Sequence, residues 1–166
     1  MVVIVDYGVV NLKNIFRGIE SVGGNPTISS SPSEIAKADK LIVPGVGAFG
    51  SGIQELKSSG LDDAVKDFAG SQKPLLGICL GMQIFLTTGS EYGHHAGLNL
   101  VSGTVESIPS AKVGSKRKIP HIGWSAIECP THLPNWNNTC LEKTDIGSFV
   151  YFNHSFVAFP ACQSHI

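Results

Sequence analysis

One pentapeptide in this 166-residue chain has the residue type and spacing of a covalent catalyst. Gly77-Ile78-Cys79-Leu80-Gly81 is a G-x-C-x-G sequence at the end of an apolar run. Small flanking residues there permit the sharp strand-to-helix turn of a nucleophile elbow, which lifts the cysteine sulfur out of the sheet. The start of the following helix would favour the anionic sulfur and would offer the Leu80 backbone N–H to a developing oxyanion. The competing reading is structural: cysteine is often a small buried hydrophobe, and this pentapeptide also arises by chance. A second glycine-rich stretch, Pro44-Gly45-Val46-Gly47, follows another apolar run and reads as a sharp loop.

These loops need elements to hold them. Residues 2–5 are a β-branched run that reads as a buried strand, and Asp6-Tyr7-Gly8 turns out of it. Leu12, Ile15, Phe16, Ile19 and Val22 recur at helical spacing, with Gly23-Gly24 placed to end that helix. Residues 26–29 read as a second strand. Ser31-Pro32-Ser33-Glu34 then has the form of a capping box with Pro at the first helical position. Residues 41–43 read as a third strand, 49–56 as a helix, and Leu61, Ala64, Val65 and Phe68 as the stripe of another. Residues 75–79 form a fourth apolar strand, and Met82, Ile84, Phe85 and Leu86 suit a helix after Gly81.

Such alternation predicts an α/β fold with a parallel central sheet flanked by helices. Sites in these sheets gather at the carboxyl ends of strands, where both glycine loops and Cys79 fall. Beyond about residue 97 the texture changes to strand-like pieces, 98–108, 118–129 and 148–156, which predicts an added antiparallel β portion. With no evident linker, residues 1–166 are expected to form a single domain.

Twelve Lys plus Arg against thirteen Asp plus Glu leave a net charge of -1. No global field would draw in nucleic acid or an anionic membrane. The N-terminal apolar run is too short for a signal peptide and no stretch approaches spanning length, so a cytoplasmic location is expected. Cysteines 79, 129, 140 and 162 have neither CxxC nor zinc-finger spacing, so free thiols, no metal and no cofactor are expected.

Leu76-Gly77-Ile78-Cys79-Leu80-Gly81-Met82-Gln83 closely resembles the nucleophile segment of class I glutamine amidotransferases. Five further segments are similar to the glutaminase subunit of imidazole glycerol phosphate synthase, and in that family's order. They are Asp6-Tyr7-Gly8 with Asn11-Leu12, Pro44-Gly45-Val46-Gly47-Ala48-Phe49, Gly97-Leu98-Asn99-Leu100 with Gly103, Pro120-His121-Ile122-Gly123-Trp124, and Phe152-Asn153-His154-Ser155-Phe156. The resemblance implies hydrolysis of glutamine to glutamate and ammonia through a γ-glutamyl thioester on Cys79. Ammonia would pass to a cyclase-type synthase subunit in a heterodimer of histidine biosynthesis. It also implies that the Val46 N–H joins that of Leu80 in an oxyanion hole, and that Gly47, Gln83 and Glu91 hold glutamine. The backbone at Ser155 and Phe156 would line the same pocket, and Asn11 and Trp124 would face the synthase subunit. Without the resemblance Gln83 and Glu91 are ordinary surface types and Trp124 is equally a core residue.

In that family the catalytic His and Glu lie in a Phe-His-Pro-Glu-like segment beyond the His-Ser-Phe segment, and this sequence reaches Ile166 without one. The expectation is a domain incomplete at its C-terminus, lacking the last strand and helix, with a sheet edge and apolar surface exposed. Little turnover is expected without the base. None of His94, His95, His121, His132, His154 and His165 is assigned that role; His94, His95 and His132 read as loop residues. Ser115-Lys116-Arg117-Lys118 reads as a solvated hairpin tip or a contact for an acidic partner. Three alternatives stand beside the main reading: a non-catalytic interaction protein, a glutaminase serving a surface-polysaccharide sugar amidotransferase, and an elbow-cysteine hydrolase with a local His.

Overall fold

The computed structural model describes residues 1–8, 11–109, 118–131 and 133–162. Ser115, Lys116 and Arg117 of the basic run, with His132 and His165, lie outside the described residues. The chain divides into two compact units, Met1–Glu106 with the stretch from Ala158 onward, and Ser107–Val157.

In the first unit, strands β1 (Val2–Val5), β2 (Pro26–Ser29), β3 (Lys40–Val43) and β4 (Leu75–Gly77) form a parallel sheet in the order β2-β1-β3-β4. Val2 lies beside both Pro26 and Lys40, and Leu41 beside Leu75. Parallel neighbours need crossovers. Helices α1 (Leu12–Ser21), α2 (Pro32–Lys37), α3 (Phe49–Ser58) and α4 (Asp62–Gly70) supply them. Val3, Ile4, Val5, Leu41 and Val43 are buried, as continuous apolar runs in a doubly covered sheet should be. Phe49, Leu56, Leu61 and Val65 of the α3–α4 region complete that core. Among the described residues β4 is the outer strand, and its Leu76 is 42% exposed.

Four local expectations are corrected. Val22 lies beyond the helix at its C-cap and is exposed, because the turn into Gly23 takes it off the apolar stripe. The capping box does not close: Ser31 is the N-cap, yet its hydroxyl meets the Ser33 hydroxyl and makes no cap bond. The helix after the elbow is a single turn, α5 (Leu80–Gln83). Leu86 opens strand β5 (Leu86–Gly89) instead, since the β-branched Thr87-Thr88 pair that follows suits a strand. His95 lies not in a loop but in strand β6 (His95–Ala96), which closes an antiparallel pair with β5.

A second sheet has the order β10-β7-β5-β6, with β7 (Val101–Ser107) and β10 (Phe156–Pro160); Ser107, Phe156 and Val157 count with the second unit and the rest with the first. Here β5 pairs antiparallel with β6 but parallel with β7.

The second unit contains an antiparallel ribbon of β8 (His121–Ala126) and β9 (Phe149–His154), registered from His121 opposite His154 to Ala126 opposite Phe149. Alternation sends Ile122, Trp124, Phe149 and Tyr151 to one face, all exposed, and His121, Phe152 and His154 to the other.

Candidate active site

Cys79 sits at φ 55 and ψ -119, a conformation an L residue adopts only when its surroundings impose it. Those surroundings are visible in the glycines. A Cβ on Gly81 would lie 1.9 Å from the Val43 carbonyl oxygen, and one on Gly77 2.5 Å from Met82 Cα. Both contacts are with backbone, so only glycine lets the turn close. The Ile78 N–H donates to the Val43 carbonyl at 3.0 Å, and the Cys79 carbonyl accepts from Met82 at 3.0 Å and Gln83 at 3.1 Å. These bonds fix the elbow from both sides and leave the Cys79 side chain exposed.

The second glycine loop lies against the elbow. A Cβ on Gly45 would stand 2.5 Å from the Gly81 nitrogen and 2.7 Å from Leu80 Cβ, so the two loops touch backbone to backbone. Val46 is exposed and Gly47 takes φ +94 with open space where a side chain would be. The N–H groups of Val46 and Leu80 have no acceptor among the described residues. The loops thus bring Cys79, Leu80, Val46 and Gly47 together at the carboxyl edge of the parallel sheet, where a nucleophile and two donors suit acyl transfer.

Other sequence-chosen residues occupy more varied places. Gln83 closes α5 and is buried. The Glu91 carboxylate accepts the Phe49 N–H at 2.9 Å and so caps α3, filling a donor that the first helical turn leaves open. It borders a cavity of about 730 Å³ with Gln54, Lys57, Tyr92 and His95. Asn11 is exposed at φ 80 as the N-cap of α1, and its side-chain oxygen accepts from the Asn14 amide. Ser155 and Phe156 belong to the second unit. There the Ser155 carbonyl accepts from Ile108 at 2.8 Å, and the Phe156 carbonyl accepts from His154 Nδ1 at 2.9 Å. Trp124, 67% exposed, is no core residue, and its ring meets Tyr151 edge-on at 5.7 Å.

Sequence reasoning missed two arrangements. Tyr7 is buried, and its hydroxyl donates to the Pro44 carbonyl at 2.6 Å across 37 residues. Burial, and then the charge of a Cys79 thiolate, push its phenol well above the ordinary range, which places Tyr7 within electrostatic reach of the nucleophile. The only sequence signal was the Asp6-Tyr7-Gly8 match. The second arrangement is a one-way chain in the second unit. A carbonyl only accepts, so neutral His154 carries its proton on Nδ1. Its Nε2 then accepts from His121 Nδ1 at 3.2 Å, and His121 Nε2 accepts from the Ser125 hydroxyl at 3.0 Å.

A parallel sheet with a strained cysteine elbow and facing glycine loop is the frame of an amidotransferase, and the chain belongs to the class I glutamine amidotransferase family, whose model matches residues 3–164. Within it, the chain is similar to the imidazole glycerol phosphate synthase subunit HisH 1 of Legionella pneumophila (strain Paris), 45% identical over 159 residues that cover 95% of this chain and 75% of that one. The subunit HisH of Syntrophotalea carbinolica is 38% identical over 162 residues, covering 96% and 76%. A crystal structure of a glutamine amidotransferase shares the fold, with a TM-score of 0.55 and 19% identity over 64% of this chain and 57% of that one. No helix among the described residues is long and apolar enough to cross a membrane.

Proposed function

We propose that this chain is the glutaminase subunit of an imidazole glycerol phosphate synthase, acting in histidine biosynthesis, with residues 1–166 as one functional domain in the cytoplasm. The observation that carries the reading is the Cys79 elbow closed by Gly81 against the Val43 carbonyl, with the Pro44–Gly47 loop packed on it. The Cys79 sulfur attacks the side-chain carboxamide carbon of glutamine, forming a C–S bond. The carbonyl electrons move onto oxygen, which the Val46 and Leu80 N–H groups stabilise. When the carbonyl re-forms, the C–N bond breaks and ammonia leaves with the thiol's proton. Water then breaks the thioester, releasing glutamate and restoring the thiol. Gly47, Gln83 and Glu91 hold the substrate. Asn11 and the aromatic face at Trp124 meet the cyclase-type subunit that receives ammonia. Aromatic anchors suit that role.

The exposed aromatic and aliphatic face of Ile122, Trp124, Phe149 and Tyr151 favours a second reading, binding of the synthase partner without turnover. The test therefore reads Cys79 directly. A chloromethyl-ketone analogue of glutamine is expected to alkylate Cys79 and glutamine to protect it, as followed by mass spectrometry. Alkylation no faster than by iodoacetamide and indifferent to glutamine would overturn the glutaminase reading.

A further inference from the structure

The order β2-β1-β3-β4 reverses its direction of winding between β1 and β3, so the crevice at their carboxyl ends is the place where a ligand finds room between diverging connections. Tyr7 lies two residues beyond β1 and Pro44 one beyond β3, and the 2.6 Å bond between the Tyr7 hydroxyl and the Pro44 carbonyl spans that crevice. We propose that Tyr7 is a positioning residue of the glutaminase site, whose hydroxyl fixes the Pro44–Gly45 peptide and thereby aims the next N–H, that of Val46, at the substrate oxygen. This rests on the glutaminase reading of Cys79.

The loop needs such a constraint. The Val46 N–H lies in the Gly45–Val46 peptide, which hangs on the Gly45 Cα, and glycine admits many backbone conformations. The Pro44 carbonyl and the Gly45 N–H share one rigid plane. Rotating that plane breaks a hydrogen bond to a buried phenol, leaving a donor and an acceptor unpaired away from water. The contact of Gly45 with Gly81 and Leu80 blocks translation toward the elbow, while the Tyr7 bond opposes rotation of the Pro44–Gly45 peptide; the two together narrow the directions open to the Val46 N–H. The phenol keeps its proton even beside an anionic Cys79, since burial and that same charge both oppose its loss. Tyr7 therefore remains a donor while the nucleophile is armed.

The test is Tyr7→Phe in the 166-residue chain, which keeps the ring and removes the hydroxyl. Alkylation of Cys79 by the chloromethyl-ketone analogue passes through a tetrahedral oxyanion, whereas alkylation by iodoacetamide does not. The variant is expected to lower the limiting inactivation rate about tenfold, with the half-saturating concentration and the iodoacetamide rate unchanged. The backbone 15N order parameters of Gly45 and Val46 should fall while those of Ile42 and Val43 stay high. An unchanged limiting rate, or an iodoacetamide rate that falls in the same proportion, would overturn the role of Tyr7 alone. An unaltered order parameter at Val46 would do so even if the wild-type chain gave no glutamine-protected adduct. That last result would also remove the glutaminase reading.

Discussion

The two units use glycine in opposite ways. Gly81 of the first has no room for a single added carbon, with the Val43 oxygen 1.9 Å from where it would stand. Gly123 of the second, at φ +145, opens onto nothing within 4 Å. In the first unit glycine lets two backbones touch and so builds a reactive edge from main-chain groups. In the second it leaves a gap on the ribbon, across which His121 reaches Ser125 on the same face while its ring stacks on Phe152 at 5.0 Å. The reactive edge is made by close approach and the ribbon by side-chain reach, and the two should fail differently when altered.

The chain carries its own probes for this. Both tryptophans, Trp124 and Trp136, belong to the second unit, and every helix among the described residues to the first. Fluorescence and far-ultraviolet circular dichroism therefore follow the units separately. The largest expected effect is chemical: Cys79→Ala should abolish glutamine-protected alkylation with both unfolding transitions in place, measured by mass spectrometry and urea titration. Next, Gly81→Ala should destabilise the helical transition by about 3 kcal/mol, an overpacking cost, while Gly123→Ala should cost the fluorescence transition only about 1 kcal/mol of backbone strain. Equal costs would break the comparison.

A smaller effect sharpens it. The Tyr7 phenol is raised above its usual value of about 10, so the folded state keeps a proton that the unfolded chain releases. The stability this provides is complete below the ordinary phenol range and is lost as pH rises through and beyond it. Tyr7→Phe should flatten the alkaline decline of the circular dichroism transition and leave the fluorescence transition unaltered. The smallest change is expected for Trp124→Ala. Removing an exposed ring should shift stability by no more than about 0.5 kcal/mol, yet weaken binding of a cyclase-type partner at least tenfold in a titration.

Local patterns made much of the first unit legible. Buried parallel strands announce themselves as unbroken apolar runs, and β2 spans the residues expected of it. Cys79 and its flanking glycines were legible for the same reason, since the strain and its remedy lie within five residues. What stayed hidden depends on distance along the chain. Tyr7 acquires meaning only when β1 and β3 become neighbours, and His121 only when β9 brings His154 opposite it. Leu86 was misplaced because a short apolar run after a turn has no period of its own, and pairing with β7 decided it.

The one-way chain of Ser125, His121, His154 and the Phe156 carbonyl has a consequence for the other face of the ribbon. Sliding β8 past β9 by one residue would part His121 from His154 and carry Trp124 to the face opposite Tyr151. The chain thus acts as a register lock. An aromatic surface held in register before any encounter has less disorder left to lose on binding, which lowers the entropic cost of docking.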